Sequence, residues 1–378
     1  MSSSLRSILE EHVAAGTMPG AVAFVASADD ADPEIVSVGA AAADGPPIAA
    51  DAVFRIQSMT KPVTTVAALR LVAAGDIGLD DPVDEWIPEL SDRRVLRSPD
   101  ADLDDTIDSP RPITLRHLLT NTSGYGMMTA PTPLQQAMLA GGTEAGPQPS
   151  GISADEWLAR VAELPLAFAP GDGWRYHHSF GLLGILISRV TGRTAQEHLA
   201  ADLFEPLGMV DTGYWTPLDQ AHRLPAAYRH TATGLIEMEP AGGGFYAGEP
   251  DHDVSHEELV STAGDWWRFS RMLALGGRLD GDEFVRPDLF ALMTSDQTPD
   301  AVKTPDSFFP GFWNDMGWGF GVGVHTSAER AGRYGWSGGQ GTDFWIAPDG
   351  TVRAVFTQVE MGEQVMGLFG AMADVEVS

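Results

Sequence analysis

The 378-residue chain contains no cysteine. Disulfides, thiolate metal sites and a cysteine nucleophile are thereby excluded together. No stretch approaches the roughly 18 uninterrupted apolar residues of a membrane-spanning helix. The opening residues, MSSSLRSILEEHVAAG, carry no basic segment followed by an apolar one. A secretory leader is therefore not expected, and a cytoplasmic location is. Positive charge is scarce: Lys+Arg 23 stand against Asp+Glu 53, a formal net charge of −30. Such a field repels nucleic-acid phosphates and anionic membrane, so neither is expected as a partner. Lysine occurs only as Lys61 and Lys303; every other cation is arginine.

What is present is enough apolar material for a full core, 43% of residues, which excludes wholesale disorder. Gly 42 and Pro 26 show no repeat period. Residues 21–26 (AVAFVA), 35–38 and 53–56 read as short strands. From Ser58 the period changes. Val63, Val66, Ala67, Leu69, Leu71 and Val72 suit a buried helix ending near Gly75. Pro62 is tolerated only in a first turn, which places that helix start close to Ser58. Helical signals dominate from about Asp80 to Gly213. Strand-like runs return at 319–324, 344–346 and 352–359, before a closing helix at 365–373. Pro240–Glu258 is Gly-rich, then acidic, and reads as a surface loop. The expected fold class is α/β (α+β): a mainly antiparallel sheet built from both chain ends, flanked by helices, with an inserted all-helical domain. The division expected is 1–80 with 214–378 for the sheet domain, and 81–213 for the insertion.

Ser58-Met59-Thr60-Lys61 sets a hydroxyl and an amine three residues apart at a helix start. Positions i and i+3 share a face, so the two groups can meet. The helix N-terminus supplies positive potential and free N–H groups for an alkoxide and an oxyanion. Desolvation would lower the lysine pKa and let it accept the serine proton. Four residues alone are equally well an N-cap and a surface lysine. A rival lies at Gly335-Trp336-Ser337-Gly338-Gly339, which satisfies G-x-S-x-G. An α/β-hydrolase elbow needs a helix after the serine and a histidine downstream. Here the last histidine is His325, and a strand pattern follows. Asp251, His252, Asp253 and His256 form a weak metal-ligand cluster, for which a solvated acidic loop is the better reading. No metal and no organic cofactor are expected.

Six segments in order then become specific. They are FRIQSMTKPVTTVAALRLVAAGDIGLDDPVDEWIPEL around Ser58, ITLRHLLTNTSGYG (113–126), FAPGDGWRYHHSFGLLGILISRVTG (168–192), LFEPLGMVDTGY (203–214), STAGDWWRFSRMLALGG (261–277) and GWSGGQGTDFWIAPDG (335–350). Together they resemble the serine β-lactamase-like superfamily, which holds class C β-lactamases, D-Ala-D-Ala carboxypeptidases and family VIII carboxylesterases. The resemblance implies Ser58 as acylated nucleophile and Lys61 with Tyr176 as the proton-transfer pair, the phenol having a depressed pKa beside the ammonium. Either of the two could take the first proton. It implies an oxyanion hole from the N–H groups of Ser58 and Gly339. It also implies substrate contacts from Trp336, Ser337, Gly338, His178 and Tyr125.

Three positions depart from the pattern: Asn121 where histidine is usual, His178 where an asparagine helps bind a β-lactam amide, and Trp336 where lysine or histidine would hold a carboxylate. The tryptophan form resembles family VIII carboxylesterases. Trp336 offers an apolar wall, and the net charge adds repulsion of anions. Arg333 is near enough in sequence to replace the missing cation. The expected activity is hydrolysis of small to medium uncharged esters. The alternatives are a β-lactamase, a D-amino-acid peptidase or amide hydrolase, an acyltransferase on the same centre, or a non-enzymatic binding protein. No oligomeric state is read from the sequence.

Overall fold

The computed structural model describes residues 4–377. Seven strands form one antiparallel sheet in the order Met316–Trp318, Gly323–His325, Tyr334–Gly338, Thr342–Ile346, Thr351–Phe356, Gly20–Ser27, Val36–Gly39. The two ends of the chain are joined inside it: Val22 pairs with Phe356 and Ser27 with Thr351. The strand pattern read from composition at 21–26 and 352–359 belongs to this central pair.

Both sheet faces are covered, which explains why these strands show no polar alternation. Side chains still alternate with period two. Val22, Phe24, Ala26, Phe344, Ala354 and Phe356 enter one core, together with Phe54, Val63 and Trp266. Ala21, Ala23 and Val355 enter the other, with Ile8, Leu9, Leu368 and Met372. The second core lies under the terminal helices Leu5–Ala14 and Glu363–Met372. Ser4 caps the first of these by accepting from the Ser7 N–H.

The helix Thr60–Ala74 runs through the larger core and is buried without interruption from Thr60 to Leu69. It therefore shows no amphipathic face. It starts after a short 3-10 turn, Gln57–Met59, keeps Pro62 in its first turn and stops at the left-handed Gly75. Farther on, the helices Leu115–Leu119, Pro133–Gly141, Ala154–Ala162, His178–Thr191 and Ala195–Leu199 follow the expected apolar periods.

Two expectations are corrected, and one element is new. The stretch 81–213 is not all helical: Arg94–Leu96 and Thr106–Asp108 form a hairpin. Its only deeply buried members are Val95 and Leu96, too few to write a period. A second unforeseen hairpin joins Ala227–Thr231 to Gly234–Glu239. Most importantly, Pro240–Glu258 is not a surface loop, since Tyr246, Val254 and Ser255 are fully buried. Its hydrogen bonds go to the body of the protein. The Ser255 hydroxyl accepts from the Ala195 N–H at 2.9 Å, and the Asp253 carbonyl accepts from the Ala154 N–H at 2.8 Å. Gly184, inside the helix His178–Thr191, makes room for this segment. A β-carbon there would lie 1.9 Å from the Ser255 carbonyl oxygen.

Overpacking of this kind costs about 1–3 kcal/mol. Gly184→Ala is accordingly expected to lower the melting temperature by several degrees, measured by differential scanning calorimetry. An unchanged transition would show that the 240–258 segment is not packed as described.

Candidate active site

Two short strands place the central residues. Val53–Arg55 pairs with Val260–Thr262, with Arg55 opposite Val260. Beyond them the Ile56 N–H donates to the Leu259 carbonyl at 3.0 Å, and the Leu259 N–H donates to Thr60 Oγ1 at 2.8 Å. Residues 58 and 258 are thus clamped side by side. Between them Gln57 takes a left-handed backbone, φ 48°. For a residue with a β-carbon this conformation costs on the order of 1 kcal/mol or more. Its side chain is anchored by an Nε2–H bond to the Tyr246 hydroxyl at 2.9 Å.

The Lys61 Nζ donates to Ser58 Oγ at 2.8 Å and to Glu258 Oε1 at 2.9 Å. Ser58 Oγ in turn lies 3.2 Å from the same Glu258 oxygen and can donate to it. The lysine Nζ also sits 4.7 Å from the Tyr176 ring centroid. The Tyr176 hydroxyl accepts from Trp336 Nε1 at 2.5 Å. Tyr176, far away in sequence, is therefore brought to Ser58 and Lys61, and all three are buried.

The electrostatics differ from expectation. Burial alone would strip the proton from Lys61, but Glu258 and Tyr176 outweigh it and hold the amine above its ordinary pKa. Burial also raises the Tyr176 phenol; Lys61 pulls it down, Glu258 pushes it up, and the net shift is upward. The lowered lysine and depressed phenol expected from the sequence are both reversed. For Lys61 the main cause is Glu258, which sequence reading assigned to a solvated loop; for Tyr176 it is burial, with Glu258 adding to it. The only signal of Glu258 was its place two residues before an apolar strand.

The remaining expected residues divide. Trp336 faces the site within an aromatic wall, 5.6 Å from Tyr176, 4.6 Å from Trp318 and 6.5 Å from Phe308 between ring centroids. Gly338 lets its strand press onto the turn that carries Ser58: a β-carbon there would meet the Ile56 carbonyl oxygen at 2.2 Å. Gly339 follows directly, and among the described residues its N–H has no protein acceptor. Ser337 points the other way, its Oγ donating to Asp343 Oδ1 at 2.6 Å. Arg333 also turns away and donates to the Ala373 carbonyl at 3.1 Å, so it does not replace the missing cation. The Tyr125 hydroxyl is occupied by Arg93 at 3.3 Å and is not brought to Ser58. His178 is buried, with Nε2 2.7 Å from the Thr143 carbonyl, and burial lowers its pKa to about 4. Its neighbour His177 is the histidine beside the site, with Nδ1 3.9 Å from Glu258 Oε1. Burial likewise holds it well below its ordinary pKa. Asn121 is buried in a left-handed conformation, φ 57°.

The segment 143–150 covers the site. Beyond the Thr143 contact, the Ser150 N–H donates to Glu257 Oε1 at 2.8 Å and Ser150 Oγ lies 2.9 Å from His256 Nε2. Beneath it is a cavity of about 30 Å³ lined by Ser150, Trp157, His177, Tyr246, Glu257 and Glu258. The Asp251–His256 cluster does not converge. His252 bonds Asp251 at 2.7 Å, Asp253 accepts from Ser255, and His256 packs 5.3 Å from the Trp157 ring. Among the described residues no group of three or more His, Cys, Asp and Glu could hold a metal ion. Nor is any described helix long and apolar enough to cross a membrane.

The family model described as Beta-lactamase matches residues 5–370. The chain is 34% identical over 322 residues to Protein Rv1367c of Mycobacterium tuberculosis, covering 81% of this chain and 75% of that protein. It is 35% identical over 184 residues to Esterase EstB of Burkholderia gladioli, covering 48% and 43% of the two chains. Among solved structures, EstCE1, a hydrolase with promiscuous acyltransferase activity, superposes with TM-score 0.78 at 23% identity. That match covers 97% of this chain and 96% of the other.

The reverse face of the Trp336 strand generates a test of the packing. Asp343 accepts from Ser337 and from Trp345 Nε1, the latter at 3.1 Å, yet burial pushes its carboxyl up to about 7. The folded value exceeds the unfolded one, so this group's stabilising contribution is complete below the unfolded pKa near 4. It is lost as pH rises through about 7. Asp343→Asn keeps an acceptor but cannot ionise. At pH 8–9 it should be more stable than the parent by a few kcal/mol, at about 1.4 kcal/mol per unit, and the gap should close below pH ~4. Urea melts at the two pH values check this; a pH-independent difference refutes it.

Proposed function

From its membership of the Beta-lactamase family, to which this chain belongs, we propose that the protein is a serine hydrolase that cleaves uncharged carboxylic esters through an acyl-enzyme on Ser58. The observation that carries this reading is the Lys61 Nζ lying 2.8 Å from Ser58 Oγ, with the Tyr176 phenol against the same lysine. Ser58 attacks the ester carbonyl, Lys61 and Tyr176 serve the proton transfers, and the N–H groups of Ser58 and Gly339 receive the oxyanion. Water then cleaves the acyl-enzyme.

The preference for an uncharged ester rests on charge. The cation nearest Ser58, Lys61, is already paired with Glu258, and Arg333 lies on the far side of its strand. An anionic acyl donor would meet Glu258 without a compensating cation. Trp336, Phe308 and Trp318 offer apolar surface for an acyl chain instead. The relative named Esterase EstB points the same way. Transfer to an alcohol is the second reading, favoured by the relatives named acyltransferases.

A panel of p-nitrophenyl esters of increasing chain length, nitrocefin and a D-Ala-D-Ala peptide tests the proposal. Short-chain esters should be turned over fastest, and Ser58→Ala should lose at least about 10³-fold in kcat. Faster nitrocefin turnover would reassign the substrate class. Unchanged ester turnover by Ser58→Ala would end the proposal. Ester products appearing on addition of short alcohols would establish acyl transfer.

A further inference from the structure

The Ser58 hydroxyl has two polar neighbours of opposite character. Lys61 presents an N–H to Oγ at 2.8 Å, so Oγ is the acceptor in that contact. Its own hydrogen is then free for Glu258 Oε1 at 3.2 Å. The lysine is a full ammonium here, because Glu258 neutralises it within a buried pair. An ammonium stabilises an alkoxide but has no site for a proton. The Tyr176 phenol is held in its neutral form by burial and can give a proton more readily than take one. Of the three groups around Ser58, the carboxylate is the one placed to accept from the hydroxyl and from the ammonium together.

The placement of Glu258 is built rather than incidental. The Leu259–Thr60 and Ile56–Leu259 bonds fix its backbone, and its side chain is 13% exposed. It also lines the cavity of about 30 Å³ under the 143–150 segment. Roughly 10–15 Å³ of such space already holds a water molecule, so this cavity has room for water. The same carboxylate therefore borders Ser58 on one side and a space that admits water on the other.

We propose that Glu258 is a catalytic base of this site, acting first on Ser58 and then on the water that cleaves the acyl-enzyme. The inference rests on the serine-hydrolase reading above. In acylation the Ser58 proton passes to Glu258 as Oγ bonds to the carbonyl carbon, and the carbonyl π pair moves to the oxyanion. On collapse the bond to the alkoxy oxygen breaks. The alkoxide leaves with that electron pair and takes a proton from Tyr176, which is restored from Glu258 through Lys61. In deacylation a water proton passes to Glu258 while its oxygen bonds to the acyl carbon. The acyl–Oγ bond then breaks, and Oγ recovers the proton. The sum is ester plus water giving acid plus alcohol.

Several ionisable groups share this setting and enter its pH dependence. Lys61 faces Glu258 from the nucleophile helix, Tyr176 and His177 from the chain leading into the next helix. Glu257, His256 and Tyr246 approach from its own segment, and Glu144 from the covering one. His177 is held well below its ordinary pKa, so it does not supply the acidic limb near neutrality.

The test compares kcat/KM against pH for the parent, Glu258→Gln and Glu258→Asp on a p-nitrophenyl ester, with melting temperature as a fold control and a fluorophosphonate to label Ser58. Glu258→Gln should lose about 10²–10⁴-fold in kcat, flatten the acidic limb and slow labelling in proportion. Glu258→Asp should keep the limb and recover part of the rate. A Gln variant within about threefold of the parent, or one that keeps the same acidic limb, overturns the inference while leaving the serine reading intact. Turnover by Ser58→Ala would instead strike the serine reading itself. Should the Gln variant not fold, Glu258→Ser with added formate replaces it: rescue of turnover supports the role, and no rescue overturns it.

Discussion

Burying Lys61 obliges the protein to bring a carboxylate to it. An ammonium 1% exposed to solvent would shed its proton in an apolar surrounding. Glu258, at 2.9 Å, makes the charged form stable where it stands. Removing one partner of such a buried pair leaves the other uncompensated, at a cost of about 3–5 kcal/mol. The fold therefore depends on the pair. The helix Thr60–Ala74 can cross the core, and the segment 240–258 can close against it, because the two charges meet.

The same pair shapes what the site can bind. A lysine left free would attract carboxylates; a lysine tied to glutamate does not. With Arg333 committed to the far side of the sheet and Trp336 on the near side, the cleft combines aromatic surface with a neutralised cation. On the ester reading proposed above, that combination is what favours an uncharged acyl group over the carboxylate of a β-lactam, and it ties the proposed substrate class to one residue type in the strand Tyr334–Gly338.

Much of the architecture was legible locally. The central strands alternate between two cores, the buried helix ends at Gly75, and Pro62 marks its beginning, each from residues a few positions apart. The hairpin at 94–108 was not legible, since two buried side chains cannot write a period. Direction along a strand was misread as well. Trp336 and Ser337 are neighbours, yet a strand sends them to opposite faces, so only one reaches Tyr176. The choice between His177 and His178 fell the same way. The left-handed backbone at His177, φ 92°, decides it, and no residue type announces that turn.

By itself the sequence determined the sheet and helix classes, the serine one turn before a lysine, and the aromatic in place of a cation. The first two follow from spacing within one element, where geometry is set by the backbone period, and the third from the family resemblance. Only the tertiary structure decided that Glu258 stands beside Ser58. Their neighbourhood comes from pairing Arg55 with Val260 across about two hundred positions. The raised pKa of Lys61 follows from that pairing and that of Tyr176 chiefly from burial, because a pKa answers to the surroundings packing brings near and not to residues adjacent along the chain.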